Sequence, residues 1–403
     1  MSADEVAYEP VSVKAVLAEM KDTAELLIDL SYSAVLLGSD EVAAEVLELE
    51  EKMDVLQLRA RMSILMAARS PDDAEALAPV LGIVGAAEKI SDAAGDIAKV
   101  VLEDVGLPAE LPATLPEAVE TLVRAELREE SALTRGALGE INLETETGVR
   151  ALAIRRGGDW LLSPDRDTQL RPGDVVLLRG PQNGVGEVYA DATGQAYEPP
   201  APPAAESADL ERAVDSIVLM KDMGELAVDL AYGAILFDSD ELAEEVLELE
   251  AEVDALQSRF EAWTLRAAGR AEDPVSLRGL VHLAQSIEII SDAALEISEG
   301  VLRGLSTHPV VREAVYESDE VLVRRTVESG SALDGETLGS EAVKTQTGMR
   351  VIAVRRASDG AGTGGDWVVS PGPETALRAE DVLIAKGTRD GAERLAALAS
   401  AGD

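Results

Sequence analysis

The chain has 403 residues, and 77 Asp plus Glu against 35 Lys plus Arg give a formal charge of −42 at pH 7; so acidic a surface repels phosphate backbones and excludes nucleic acid as a direct partner. An apolar content of 46% excludes a disordered acidic tail, and the absence of cysteine excludes disulfides, thiolate nucleophiles and Cys-ligated zinc. No stretch reaches the roughly 18 apolar residues of a membrane span, and the opening MSADEVAYEP is acidic rather than signal-like, so the expected location is cytoplasmic, with any membrane role carried by a partner.

Apolar residues at Val13, Val16, Leu17, Met20, Ala24 and Leu27 recur with helical period and predict a first helix. Ser39-Asp40-Glu41 reads as an N-cap with first-turn acids, opening a second helix to about Arg69. Pro71 and the aspartates behind it open a third, which Gly106 and Pro108 close. The pattern then changes. A strand is expected near Thr121–Leu127, a helix over Leu133–Glu144, and short β-rich runs at Val149–Ile154, Trp160–Leu162 and Asp174–Leu178. Gly180-Pro-Gln-Asn-Gly184 follows a strand, but its glycine spacing is wrong for a pyrophosphate turn; it reads as a loop, and no NAD site is expected.

At an offset of 200 the chain matches itself: between Met20–Glu50 and Met220–Glu250, 20 of 31 positions are identical. The register holds until an insertion, Ala357–Gly365, after which Asp159-Trp160 matches Asp366-Trp367. The predicted organisation is α+β and multidomain: helical units at 10–105 and 209–305, small α+β domains at 120–190 and 319–400, and a Pro-rich linker at 197–208.

Both halves of the unit resemble known families. The helical half, with Glu25-xxx-Asp29 and Glu88-Lys-Ile-Ser-Asp92 repeated as Glu225-xxx-Asp229 and Glu288-Ile-Ile-Ser-Asp292, is similar to the PhoU domain, a three-helix bundle of phosphate-uptake regulators. The second half carries Leu138-Gly139, Thr147-Gly148, Arg155-Arg156 and Asp174, repeated as Leu338-Gly339, Thr347-Gly348, Arg355-Arg356 and Asp381. It resembles the TrkA-C (RCK-C) domain, a ligand-binding module of potassium channels and transporters. The resemblance implies a membrane cation channel or transporter as partner. The duplication implies an intrachain pseudo-dimer and is compatible with a homo-oligomer.

Glu25 and Asp29 share a helix face, and Asp29 is the only charge between Leu26 and Leu37. A carboxylate on so apolar a helix needs a counterion. Glu25, Asp29, Glu88 and Asp92, with Glu225, Asp229, Glu288 and Asp292, are the candidate ligands of a divalent metal, Mg, Ca, Mn or Fe for an all-oxygen set. The competing reading places Glu25 opposite the Val13–Met20–Leu27 stripe as a solvated acid. His282 reads as a core residue, as do Trp160 and Trp367. Lys344, Arg350 and Arg356 are the candidate contacts of one small anionic ligand; Glu144 stands where copy two has Lys344, which makes the copies unequal.

No nucleophile–base pair, phosphate loop or redox motif is present, so the chain is read as regulatory rather than enzymatic. The expected function is regulation of potassium or other cation transport; regulation of phosphate uptake is the alternative. Abundant acids, few lysines and 3% aromatics predict a salt-accumulating cytoplasm, where screening relieves the self-repulsion.

Overall fold

The computed structural model describes residues 12–108, 121–198, 207–303, 308–317, 321–356 and 367–401, apart from 142, 144–146, 148, 158, 163, 165–166, 181, 272 and 370. The chain divides into two units. One holds both helical repeats and the first α+β domain; the other is essentially the second α+β domain from Tyr316.

In the first unit, α1 (Val13–Leu37), α2 (Asp40–Ala67) and α3 (Pro71–Leu102) form an antiparallel bundle. Its connections are chemically explicit. Gly38 closes α1 in the left-handed conformation, Ser39 Oγ accepts from Val42 N to cap α2, and Ser70 Oγ accepts from Asp73 N ahead of Pro71 at the start of α3. α3 runs without a break past Pro79, which lies two turns inside the helix and so removes one internal hydrogen bond, to the Glu75 carbonyl.

Next come β1 (Thr121–Glu126), the short α4 (Leu138–Ile141), β2 (Arg150–Arg156), β3 (Asp159–Leu162), β4 (Val175–Gly180) and α5 (Gln182–Thr193). The sheet order is β1-β4-β2-β3, every pair antiparallel, with a register irregularity between Ala151 and Ala153. Val123, Ala125, Ile154, Val176 and Leu178 point to one face and form a core with Val185 and Val188 of α5.

The second copy of the bundle is α6 (Ala208–Phe237), α7 (Asp240–Ala268) and α8 (Arg278–Leu302), followed by α9 (Pro309–Glu317). The repeats pack through α3 against α8. The chain leaving α3 crosses onto the start of α8, where Gly279 N donates to Gly106 O at 2.8 Å. A Cβ at Gly279 would lie 2.3 Å from that oxygen, so the crossing needs glycine there.

The second unit contains β5 (Val321–Thr326), α10 (Val343–Thr347), β6 (Arg350–Arg355), β7 (Trp367–Val369), β8 (Val382–Gly387) and α11 (Arg389–Ala399). Its order, β5-β8-β6-β7, repeats the first sheet, including the irregularity between Val351 and Ala353.

The expected domain order and the internal repeat are present, with three differences in detail. The single helix expected over Leu133–Glu144 is a 3-10 turn at Ala132–Arg135 and then α4, because Gly136 between them is fully extended. The segment expected as a loop from Gly180 becomes α5 at Gln182, and its counterpart α11 is equally unforeseen by the sequence pattern. α9 lies between the expected domains. Glu144, the Ala357–Gly365 insertion and the side chains of Trp160 and Trp367 lie outside the described residues.

Candidate functional site

The first sheet has two unlike faces. Opposite its α5 core, alternation brings Ala153 and Leu177, both 0% exposed, to a face that also carries Arg124, Arg155 and Arg179. This face lies on α1 and α2 of the first bundle. Arg155 reaches Glu45 at 2.9 Å and Glu48 at 3.0 Å; Arg124 reaches Glu41 at 2.8 Å and Glu45 at 3.6 Å; Arg179 pairs with Asp29. Glu45 is buried between two guanidiniums. Charge and shape together dock the first α+β domain onto its bundle.

The eight carboxylates expected to bind metal divide among different partners. Glu25 is largely buried, which removes the solvated-acid reading, and Lys21 holds it at 2.7 Å. Glu225 is held likewise by Lys221 at 2.8 Å. Asp29 is engaged by Arg179, and Asp229 is buried on α6. Glu88 pairs with Arg61 at 3.6 Å. Asp92 is pushed above the usual carboxylate range, first by burial, then by Glu88, Asp54 and Asp96. Glu50 rises too, by burial foremost, with Asp92, Asp96 and Asp54 adding while Lys99 opposes. The charge field around Asp92 therefore comes from α2 and α3, not from Glu25 and Asp29 on α1. The second bundle repeats this. Glu288 is raised by burial and then Asp292, Asp254 and Glu250; Asp292 by burial, Asp254 and Glu296, with Lys89 of the first bundle opposing. Among the described residues no group of three or more His, Asp or Glu side chains is arranged to hold a metal ion.

A reciprocal arrangement ties the two bundles together. Lys21 is 2% exposed and stands 5.3 Å from the ring centre of Tyr232, while Lys221 stands 5.3 Å from that of Tyr32. Each lysine thus sits between a glutamate of its own helix and an aromatic face of the other copy. The symmetry is that of two related surfaces meeting about a pseudo-two-fold axis. Burial, then Glu225 and Asp222, push the Tyr32 hydroxyl well above its ordinary range, so it stays protonated. Beside Lys21, a small apolar cavity is lined by Leu17, Met20, Val84, Tyr232 and Val315.

The candidate anion contacts of the second unit serve different ends. Arg356 Nη1 donates to Asp381 Oδ2 at 2.6 Å and to Ala376 O at 2.7 Å, and Asp381 is 1% exposed. In copy one Arg156 holds Asp174 through two hydrogen bonds, at 2.8 and 2.6 Å. Both arginines therefore brace the turn before the last strand of their own domain, the ion-pair role that an acidic protein favours. Lys344 is on α10, and Arg350 opens β6 in register with Lys386. His282 is exposed on α8, not in the core.

Sequence reasoning reads Lys21 as able to neutralise a neighbouring acid but misses its place against Tyr232, and it misses Lys221, Tyr32, Glu45, Arg124 and Arg179. The first four stand at matching places in both copies, and Lys21–Glu25 and Lys221–Glu225 have i,i+4 spacing, which is an available signal. The sheet arginines have none: only strand alternation in three dimensions brings them onto one face.

The PhoU domain family matches residues 17–101 and 217–301, and the TrkA-C domain family matches 122–192 and 322–400. The chain is therefore a tandem protein of two PhoU domains, each followed by a TrkA-C domain, and that domain content is regulatory. No curated protein matches it significantly. Among solved structures, PhoU from Pseudomonas aeruginosa is similar at 14% identity and TM-score 0.40, covering 72% of this chain and 96% of that one. The GsuK RCK domain is similar at 15% identity and TM-score 0.18, covering 68% of this chain and 62% of that one. The GsuK channel bound to NAD gives 15% identity and TM-score 0.19, covering 70% and 53%. Scores this low add nothing to the family matches. Among the described residues no helix is long and apolar enough to cross a membrane.

Proposed function

We infer that the chain is a regulatory subunit of potassium or other cation transport, in which the TrkA-C domains sense a small anionic ligand and the PhoU bundles pass the response to a membrane partner. The observation that carries this reading is the docking of the first TrkA-C sheet on α1 and α2 through Arg124, Arg155 and Arg179. A sensing domain held by ion pairs to a helical scaffold can bias that scaffold, and coupling of about 1–3 kcal/mol is typical of such linkage. On this reading the protein acts by binding and is not an enzyme, and its place is the cytoplasm, at the membrane only through its partner. Lys344 and Arg350 are the cationic groups proposed to meet the ligand, with Arg356 shaping the turn behind them.

Phosphate regulation is the second reading, favoured by the two PhoU matches. The experiment that separates the two is a deletion strain assayed for potassium and phosphate uptake in parallel. Altered potassium uptake with normal phosphate uptake supports the cation reading; the reverse result supports the phosphate reading. Calorimetry against nucleotides and cyclic dinucleotides tests the ligand: one site per chain, weakened by Lys344→Glu, is expected.

A further inference from the structure

We propose that α9 is a strap through which the second TrkA-C domain acts on the contact between the two bundles. This builds on the reading that the domain senses an anion; the strap itself stands on geometry. α9 has nine residues, Pro309–Glu317. Isolated helices shorter than about 12 residues are marginal in water, so α9 persists because it is held along its length and at its end. Val311, Ala314 and Val315 are 2–3% exposed and close the apolar cavity over Leu17, Met20 and Lys21 of α1. Arg312 pairs with Asp238 at the end of α6 at 3.5 Å, and Glu313 with Lys14 of α1 at 4.0 Å. The last turn is held within the second unit, to which Tyr316 belongs. Arg389 Nη2 donates to Tyr316 O at 2.6 Å, and its guanidinium stands 5.1 Å from the centre of the Tyr316 ring. No later N–H of α9 can reach that carbonyl, so the arginine acts as its cap.

Arg389 is the first residue of α11, whose opening turn rests on the end of α10. Arg394 Nη2 donates to Thr347 O at 3.0 Å, and a Cβ at Gly391 would lie 2.5 Å from the same oxygen. α10 carries Lys344 and leads into Arg350, the groups proposed to meet the ligand. A ligand that shifts Thr347 therefore shifts Arg389. In the first unit α9 covers Lys21, which is 2% exposed and 5.3 Å from the ring centre of Tyr232 in the other copy. A cation–π contact is strongest when desolvated, so lifting α9 wets Lys21 and loosens the hold of one bundle on the other. Seated and released α9 are two arrangements that both sites can bias. The clamp is not encoded in copy one: Pro112, Pro116 and Gln182 stand where copy two has Arg312, Tyr316 and Arg389.

Hydrogen exchange on the full chain, read by mass spectrometry, tests the strap without any ligand. R389A should speed exchange about tenfold in α9 and about threefold around Lys21 and Tyr232, with α5 unchanged. Y316A, which keeps the capped carbonyl, should act in the same places more weakly and serves if R389A disturbs its own domain. By reciprocity V311A/V315A, which loosens the seat, should speed exchange in the first turn of α11. Q182A, at the matching place in copy one, should leave all these segments unchanged. Faster exchange confined to α9, an α11 unmoved by V311A/V315A, or an equal effect of Q182A would each overturn the strap. Calorimetry that finds no bound anion would overturn the ligand reading and leave the strap standing.

Discussion

Asp174 and Asp381 are 2% and 1% exposed, and each is held by an arginine of its own domain. Hydrogen bonds from Arg156 and Arg171 N hold Asp174 below the usual carboxylate range although burial opposes them. Removing the arginine leaves a buried charge uncompensated, which costs about 3–5 kcal/mol in comparable settings. Arg156→Ala and Arg356→Ala should therefore destabilise their TrkA-C domains by about 3 kcal/mol in urea denaturation; effects under about 0.5 kcal/mol would show that water replaces the guanidinium. The bundle carboxylates behave oppositely. Glu50, Asp92, Glu250, Glu288 and Asp292 are all raised, burial being the largest cause in each. A raised carboxylate binds its proton more readily folded than unfolded. Stability from these groups thus grows as pH falls from neutral into the raised range, and stability from Asp174 is lost at still lower pH. Glu50→Gln and Asp92→Asn should each stabilise the chain near pH 7 by a few tenths of a kcal/mol and flatten this acid-side rise. If both destabilise the chain, and a divalent cation protects only the wild type against heat, the carboxylates bind metal.

At the scale of elements, the sequence reveals what periodicity and repetition encode. α1, α2 and α3 and their copies have caps, stripes and a Pro start that can be read from Ser39, Ser70 and Pro71. Three helices escape that reading. Gly184 and Gly186 sit inside α5, α9 spans only nine residues, and α11 begins beside Gly387 and contains Gly391. That Glu25 and Asp29 need partners is legible in the apolar run around them, but the partner of Asp29 is not, since Arg179 is 150 residues away. Docking of the first sheet on α1 and α2 makes its own prediction. In a double-mutant cycle of Asp29→Asn and Arg179→Met, read by urea denaturation, coupling should reach about 1–3 kcal/mol. Coupling below about 0.3 kcal/mol would assign the docking to Ala153 and Leu177 rather than to charge.

For the whole molecule, 77 acids and a −42 charge oppose compaction, and the ion pairs on buried faces feel salt less than the solvated acids do. Melting temperature should rise steeply from low to molar KCl, where the Debye length falls to about 3 Å; a flat profile would contradict the expected salt-rich cytoplasm. The reciprocal Lys21–Tyr232 and Lys221–Tyr32 contacts show that tandem duplication supplies within one chain the related surfaces that two subunits would otherwise provide. The proposed function makes the TrkA-C domains govern cation transport by way of the PhoU bundles. Its most direct test is rubidium uptake in a deletion strain complemented with wild type or with Arg155→Glu/Arg179→Glu, phosphate uptake being followed in the same cells. The account predicts that wild type restores rubidium uptake, that the double variant is folded yet fails to, and that phosphate uptake is equal in all strains. Unchanged rubidium uptake in the deletion strain together with altered phosphate uptake would contradict it.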